Sequence, residues 1–262
     1  MLLENKNTVI YGAGGAVGGA VARTFAREGA KLFLTGRSLA GVDAVANDIA
    51  AGGVAEAAQV DALDEKAVEE HLNTVVQKAG GVDISFNAIG LRNTTLQGVP
   101  LVELDLDQFM APISAHVQAN FLTARLAGRR MAAKGSGVII TVTSIPSRVA
   151  IPLLGGVAVA MAAEEALTRD LSVELAPQGV RVVGIRTQGM PESGTIIEVF
   201  GLHAKAYGIT PEQFQDLIAE RTHSRRLPTL QELAEVAAFM ASDKASAMEG
   251  TMVNMSLGAI PD

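Results

Sequence analysis

The stretch TVIYGAGGAVGGAVARTFAREG, Thr8 to Gly29, decides the fold. Its opening residues Thr8–Tyr11 are β-prone and largely apolar. Gly12–Gly19 (GAGGAVGG) form a glycine-rich turn, and AVARTFAREG is patterned as a helix that stops at Gly29. A short buried strand running through glycines into a helix is one β-turn-α unit.

Working outward, the same alternation continues almost to the end of the 262 residues. Strands are expected near Thr8–Tyr11, Lys31–Leu34, Ala57–Val60, Asp83–Phe86, Val138–Val142, Arg181–Ile185 and Met252–Met255, with helices in the gaps. Gly29 and Gly80 fall where helices stop, and Pro177 with Gly179 closes another. The order predicts a single α/β domain: a doubly wound, Rossmann-type parallel sheet of about seven strands, helices on both faces. The segment from about 189 to 228, rich in Gly, Pro, Thr and His, interrupts the pattern. It is expected to carry only short helices and to serve as a lid or substrate segment.

Composition removes several function classes. The chain is 48% hydrophobic and carries 21 Lys+Arg against 28 Asp+Glu, a net charge of −7, so no broad basic surface is available for nucleic acid. It has no cysteine, and its four histidines lack ligand spacing, so no metal site is expected. The opening MLLENKNTVI, with an acid at Glu4, does not read as a signal peptide. The weakly polar run Val149 to Ala163 is shorter than a membrane span and is broken by Pro152, Gly155 and Gly156. A cytoplasmic protein with no membrane partner is expected.

The turn after Tyr11 is placed to hold an anion. Glycines let the backbone approach a phosphate closely, and the following helix N-terminus offers free N–H groups and a positive dipole end. Gly12, Gly14, Gly15, Ala16 and Val17 are therefore candidates for a dinucleotide cradle; the competing reading is a tight turn with close helix packing. A preference for NAD(H) calls for an acid at the end of the second strand. That strand ends Leu34-Thr35-Gly36-Arg37-Ser38, with no acid, and Arg37 has the planar fork that pairs with a 2′-phosphate. NADP(H) is favoured over NAD(H), against the alternative of Arg37 as a solvated loop residue.

From its first strand to its last residues the chain resembles the short-chain dehydrogenase/reductase family. The family's Thr-Gly-x-x-x-Gly-x-Gly turn aligns with Tyr11, Gly12, Ala16 and Gly18. Asp61, with Ala62 beside it, matches the acid that contacts adenine; Asn87-Ala88-Ile89-Gly90 resembles the family's Asn-Asn-Ala-Gly element. Asn120, in HVQANFLTARLAG, matches the structural and catalytic Asn, and ITVTS ends in Ser144, matching the catalytic Ser. FMASDKASAMEGTMVNMSLG looks like the closing helix, turn and strand.

The resemblance also implies a Tyr-x-x-x-Lys pair about a dozen residues after the Ser, where Val157 and Met161 stand. The chain's two tyrosines are Tyr11 and Tyr207, and no lysine lies between Lys134 and Lys205. Arg186-Thr187-Gln188-Gly189-Met190-Pro191 replaces the family's usual Pro-Gly. The family implies an oxidoreductase moving a hydride to or from a small carbonyl or activated alkene, here with a non-standard proton donor. The alternative is an inactive NADP(H)-binding pseudoenzyme acting as sensor or structural subunit.

Other candidates for the chemistry each have a plain counterpart. Ser144 and Arg148 suit a developing oxyanion, or a strand-end hydroxyl and a surface cation. His116 shares a helical face with Asn120 and suits packing at an interface. His203, Tyr207 and His223 lie in the lid segment and suit contact with substrate after closure, or solvated loop positions; Glu164 and Glu165 read as a solvated face or subunit contact. The small, apolar VAVAMAAEEAL suits close helix packing, so a homodimer or homotetramer is expected.

Overall fold

In the computed structural model of the chain, which describes residues 1–50, 52–91 and 95–261, the elements follow the βα order read from the sequence. The strands are β1 (Asn7–Tyr11), β2 (Lys31–Gly36), β3 (Val54–Gln59), β4 (Ile84–Asn87), β5 (Gly137–Ser144), β6 (Val180–Thr187) and β7 (Met252–Met255). The helices are α1 (Ala16–Arg27), α2 (Leu39–Ile49), α3 (Glu65–Ala79), α4 (Leu106–Lys134), α5 (Val157–Leu175), α6 (Gly194–Tyr207), α7 (Pro211–Glu220) and α8 (Leu230–Ala241). All strand pairs are parallel, in the order β3-β2-β1-β4-β5-β6-β7.

Strand alternation distributes the core between two faces. Ile10, Leu32, Leu34 and Ile140 join Phe25 and Leu233 in one buried cluster; Val9, Tyr11, Phe33 and Ile139 join Leu72 and Leu126 in the other. Apolar residues thus cover both faces of the central strands, as buried parallel sheets require. Local stops agree with this plan: Asp64 caps α3 by accepting from the amides of Lys66 and Ala67, and Gly80 ends it at φ 81°.

Two expectations need correction. β3 begins at Val54 and ends at Gln59, because VAEAAQ is a half-exposed edge strand whose small residues give weak apolar contrast. The 189–228 segment carries a full helix: α6 spans 14 residues and, with α7, encloses its own cluster of Phe200, Ala204, Phe214 and Leu227. Gly201 and the β-branched Thr195, Ile196 and Ile197 lower helix propensity there, and burial of Phe200 and Ala204 outweighs it.

Candidate functional site

The chain order reverses between β1 and its two neighbours, β2 and β4, the switch point at which a doubly wound sheet opens a crevice beyond its strand ends. The register brings Tyr11 beside Thr35 and Asn87 at that edge, and Ser144 beside Thr187 two strands further on. A cavity of 680 Å³ runs along this edge, within the range of small-molecule and cofactor sites.

Gly12, Gly14, Gly15, Ala16, Val17, Arg37, Ser38, Asp61, Ala62, Asn87, Ala88 and Gly90 all line this cavity, so the structure brings the sequence-predicted cofactor residues together. Gly12 has φ +74°, and a Cβ there would lie 2.6 Å from the Ala88 carbonyl oxygen. Only glycine permits that turn and the adjacent β4 loop to approach so closely. α1 starts at Ala16 with Gly15 as its cap, no side chain on its free amides and no acid in its first turn. That leaves unpaired donors and a positive dipole end for an anion.

Further along, Asn87 shapes its own loop: its Oδ1 accepts from the Ile89 amide at 3.0 Å and its Nδ2 donates to the Thr123 hydroxyl at 3.0 Å. Asp61 Oδ1 accepts from the Leu63 amide. Ser38 caps α2, its hydroxyl accepting from the Gly41 amide at 3.5 Å. Arg37 is exposed and lines the cavity just before the start of α2, with its backbone carbonyl accepting from the Gln59 side chain. These residues fit a nicotinamide dinucleotide, with a glycine cradle for the pyrophosphate.

At the other end, Ser144, Asn120, Val157 and Met161 line the same cavity. Ser144 ends β5, and its side chain makes no cap bond to the turn that follows. Val157 and Met161 are one turn apart at the start of α5. Gly156 fixes that start, since a Cβ there would collide with the Phe109 carbonyl oxygen of α4.

Beneath this surface lie two buried carboxylates, overturning the reading of Glu164 and Glu165 as a solvated face. Glu164 accepts from Asn120 Nδ2 at 2.8 Å, and His116 Nδ1 is 3.3 Å from the same oxygen. His116 and Asn120 do share a face, and it is the α4–α5 contact. Glu165 accepts from Arg186 Nε at 2.7 Å and Nη2 at 2.8 Å, from Thr143 at 3.2 Å, and from the Ser147 hydroxyl. Burial opposes its ionisation, but the hydrogen bonds from Arg186, Ser147 and Thr143 and the Arg186 charge win, holding the carboxyl below its ordinary value. This knot ties α5, β5, β6 and the turn after Ser144.

The remaining candidates separate. Arg148 is exposed and does not line the cavity, so the oxyanion reading finds no support for it. Tyr207 stacks on Phe214 away from the cavity, and exposed His223 packs against Gly258. Tyr11 is fully buried, and burial pushes its phenol above its ordinary value. His203, in the lid segment, is buried rather than solvated and lines the cavity, with Nε2 3.1 Å from Gln97 Oε1. Gln97, Thr143 and Arg186 were not singled out for this role from the sequence. The available signals were an arginine within the buried strand VRVVGIRT and two glutamates within an otherwise small, apolar helix.

A family model described as Enoyl-(Acyl carrier protein) reductase matches residues 12–259. The chain is 31% identical over 252 residues to the uncharacterized oxidoreductase YxbG of Bacillus subtilis (strain 168), covering 95% of this chain and 88% of that protein. It is 28% identical over 261 residues to the 7alpha-hydroxysteroid dehydrogenase of Escherichia coli (strain K12), covering 99% and 96%. Among solved structures, levodione reductase matches with a TM-score of 0.90 at 25% identity over 98% of each chain. A short-chain type dehydrogenase/reductase from Mycobacterium marinum matches at 0.85, with 25% identity over 99% and 97%. The fold, the cofactor-shaped cavity and these likenesses over nearly the whole length agree: the chain belongs to the short-chain dehydrogenase/reductase family of oxidoreductases.

Proposed function

We propose that this protein is an NADP(H)-dependent oxidoreductase acting on a small carbonyl compound or activated alkene, without a Tyr/Lys acid–base pair. The observation that carries the reading is one continuous cavity joining the glycine cradle and Arg37 to Ser144. Bound nicotinamide dinucleotide supplies the hydride chemistry. The protein's part is to hold it through the Gly12–Val17 turn, Asp61 and Asn87, and to discriminate its 2′-phosphate through Arg37 and Ser38. Ser144 then donates a hydrogen bond to the substrate oxygen.

Val157 and Met161 offer neither a proton nor a cation, so the proton comes from solvent or from another group at the cavity. An enone needs less acid assistance at its reacting carbon than a simple ketone needs at its oxygen, which favours activated alkenes. The same two apolar side chains favour a second reading, a cofactor-binding protein without turnover. NADPH carrying deuterium at its transferable position separates them. With 2-cyclohexenone or cyclohexanone, the first reading expects deuterium in the product and loss of NADPH absorbance; unlabelled substrate and unchanged NADPH after prolonged incubation support the second.

We place the protein in the cytoplasm as a homodimer or homotetramer. Phe121 on α4 and Val159 on α5 are large apolar side chains left exposed on neighbouring helices. A single monomeric species in sedimentation at micromolar concentration contradicts the assembly.

A further inference from the structure

We propose that the Ser144 end of the cavity takes an uncharged substrate with an apolar body and turns away carboxylates and phosphates. This inference rests on the oxidoreductase reading for its substrate's reacting group, and on the cavity wall for everything else.

Among the described residues, the only Lys, Arg, Asp or Glu side chains lining the cavity are Arg37 and Asp61. Both follow strands on the far side of the switch point. β2 and β3 stand three and four strands from β5, roughly 14 and 19 Å away at the spacing of a sheet, so both charges serve the cofactor end. The large apolar side chains of the lining contributed by the elements after β5 include Leu154, Val157 and Met161 at and before the start of α5, Val199 and Phe200 of α6 and Phe214 of α7.

The polar groups lining the cavity beyond Ser144, among them Gln97, Asn120, Thr187, Gln188, Ser193 and His203, are all uncharged side chains or an imidazole; of these Gln97 and His203 pair with each other. Both are buried, and burial lowers the His203 pKa, so the imidazole is neutral near pH 7. A carboxylate or phosphate entering here loses its water and meets no counter-charge. A ring or short chain bearing one carbonyl keeps that oxygen at Ser144 and buries its carbon against the wall.

Calorimetric titration of the NADP⁺-loaded protein, from which a ketone can receive no hydride, with cyclohexanone, 4-methylcyclohexanone, 4-propylcyclohexanone and 4-oxocyclohexanecarboxylate tests this. Each added methylene is expected to lower Kd by roughly two- to fourfold. The carboxylate is expected to bind at least tenfold more weakly than the methyl compound. Ile196→Lys, which puts an ammonium on the half-buried wall, is expected to reverse that order. A Kd unchanged along the series, or a carboxylate bound as well as the methyl ketone by the unaltered protein, overturns the inference. Because binding to the NADP⁺ form is read without turnover, ketones that bind in this order but leave NADPH unoxidised in a separate absorbance assay count against the oxidoreductase reading and leave the substrate class standing.

Discussion

The double variant Val157→Tyr, Met161→Lys reduces cyclohexanone with NADPH about 10²- to 10⁴-fold faster than the unaltered protein. That is the range over which a positioned general acid acts. Both positions face the cavity that Ser144 lines, on the first turns of a helix whose start is fixed by Gly156. The introduced phenol therefore enters existing space beside the substrate oxygen, and the ammonium one turn below lowers its pKa. Val157→Phe with Met161→Lys is the control: a ring and a charge without an ionisable hydroxyl leave the rate near its starting value. The rates are read from NADPH absorbance. A gain below about tenfold for a variant that folds and binds NADPH contradicts the expectation that a proton donor at position 157 is what carbonyl reduction lacks here.

The second large effect is on stability. Glu165→Ala leaves the Arg186 guanidinium in the core without the carboxylate it pairs with, and the expected cost is about 3–5 kcal/mol. For a chain of this size that lowers the melting temperature by roughly 6–20 °C. Removing both charges together, as Glu165→Leu with Arg186→Met, costs much less, since no buried ion is left alone. pH gives an independent reading. The Glu165 carboxyl is held below its ordinary value, so its stabilisation is complete above about pH 4.5 and fades as pH falls through the lowered value. The gap between unaltered protein and Glu165→Ala in urea unfolding should therefore narrow in acid. A gap that is small at pH 7, or that widens in acid, contradicts the pairing.

Much of this architecture was legible in the residues. The strands were found because buried parallel strands are short apolar runs, and Gly29, Gly80 and Gly179 mark their helix stops by adopting positive φ. The glycine turn that lines the cavity was equally readable, because close backbone approach leaves glycine as its visible mark at Gly12. The edge strand β3 was misplaced because Ala residues at a half-exposed edge carry little contrast. α6 was underestimated because its helicity comes from burying Phe200 against Phe214 and Leu227, a tertiary cause with no local signal.

Charged pairs inside the core were the hardest to read. Glu165 and Arg186 are 21 residues apart in the chain, and nothing local distinguishes a buried partnership from two exposed ions. His203 was hidden for a similar reason: its burial depends on Phe214 and Gln97, which reach it from other parts of the chain. Conversely, the spacing that pointed to Ser144, Val157 and Met161 did find one cavity wall, because all three sit at strand or helix ends whose order the βα repeat dictates.

The most direct test of the central claim, an NADP(H) site built on the Gly12–Val17 turn and Arg37, is a fluorescence titration of the purified protein with NADPH and with NADH, repeated for Arg37→Ala. Tighter binding of NADPH than NADH, with Arg37→Ala weakening NADPH roughly 10- to 100-fold and NADH little, is the predicted result. Equal affinity for the two nucleotides, unchanged by Arg37→Ala, contradicts the role given to Arg37, and binding of neither contradicts the cofactor site itself.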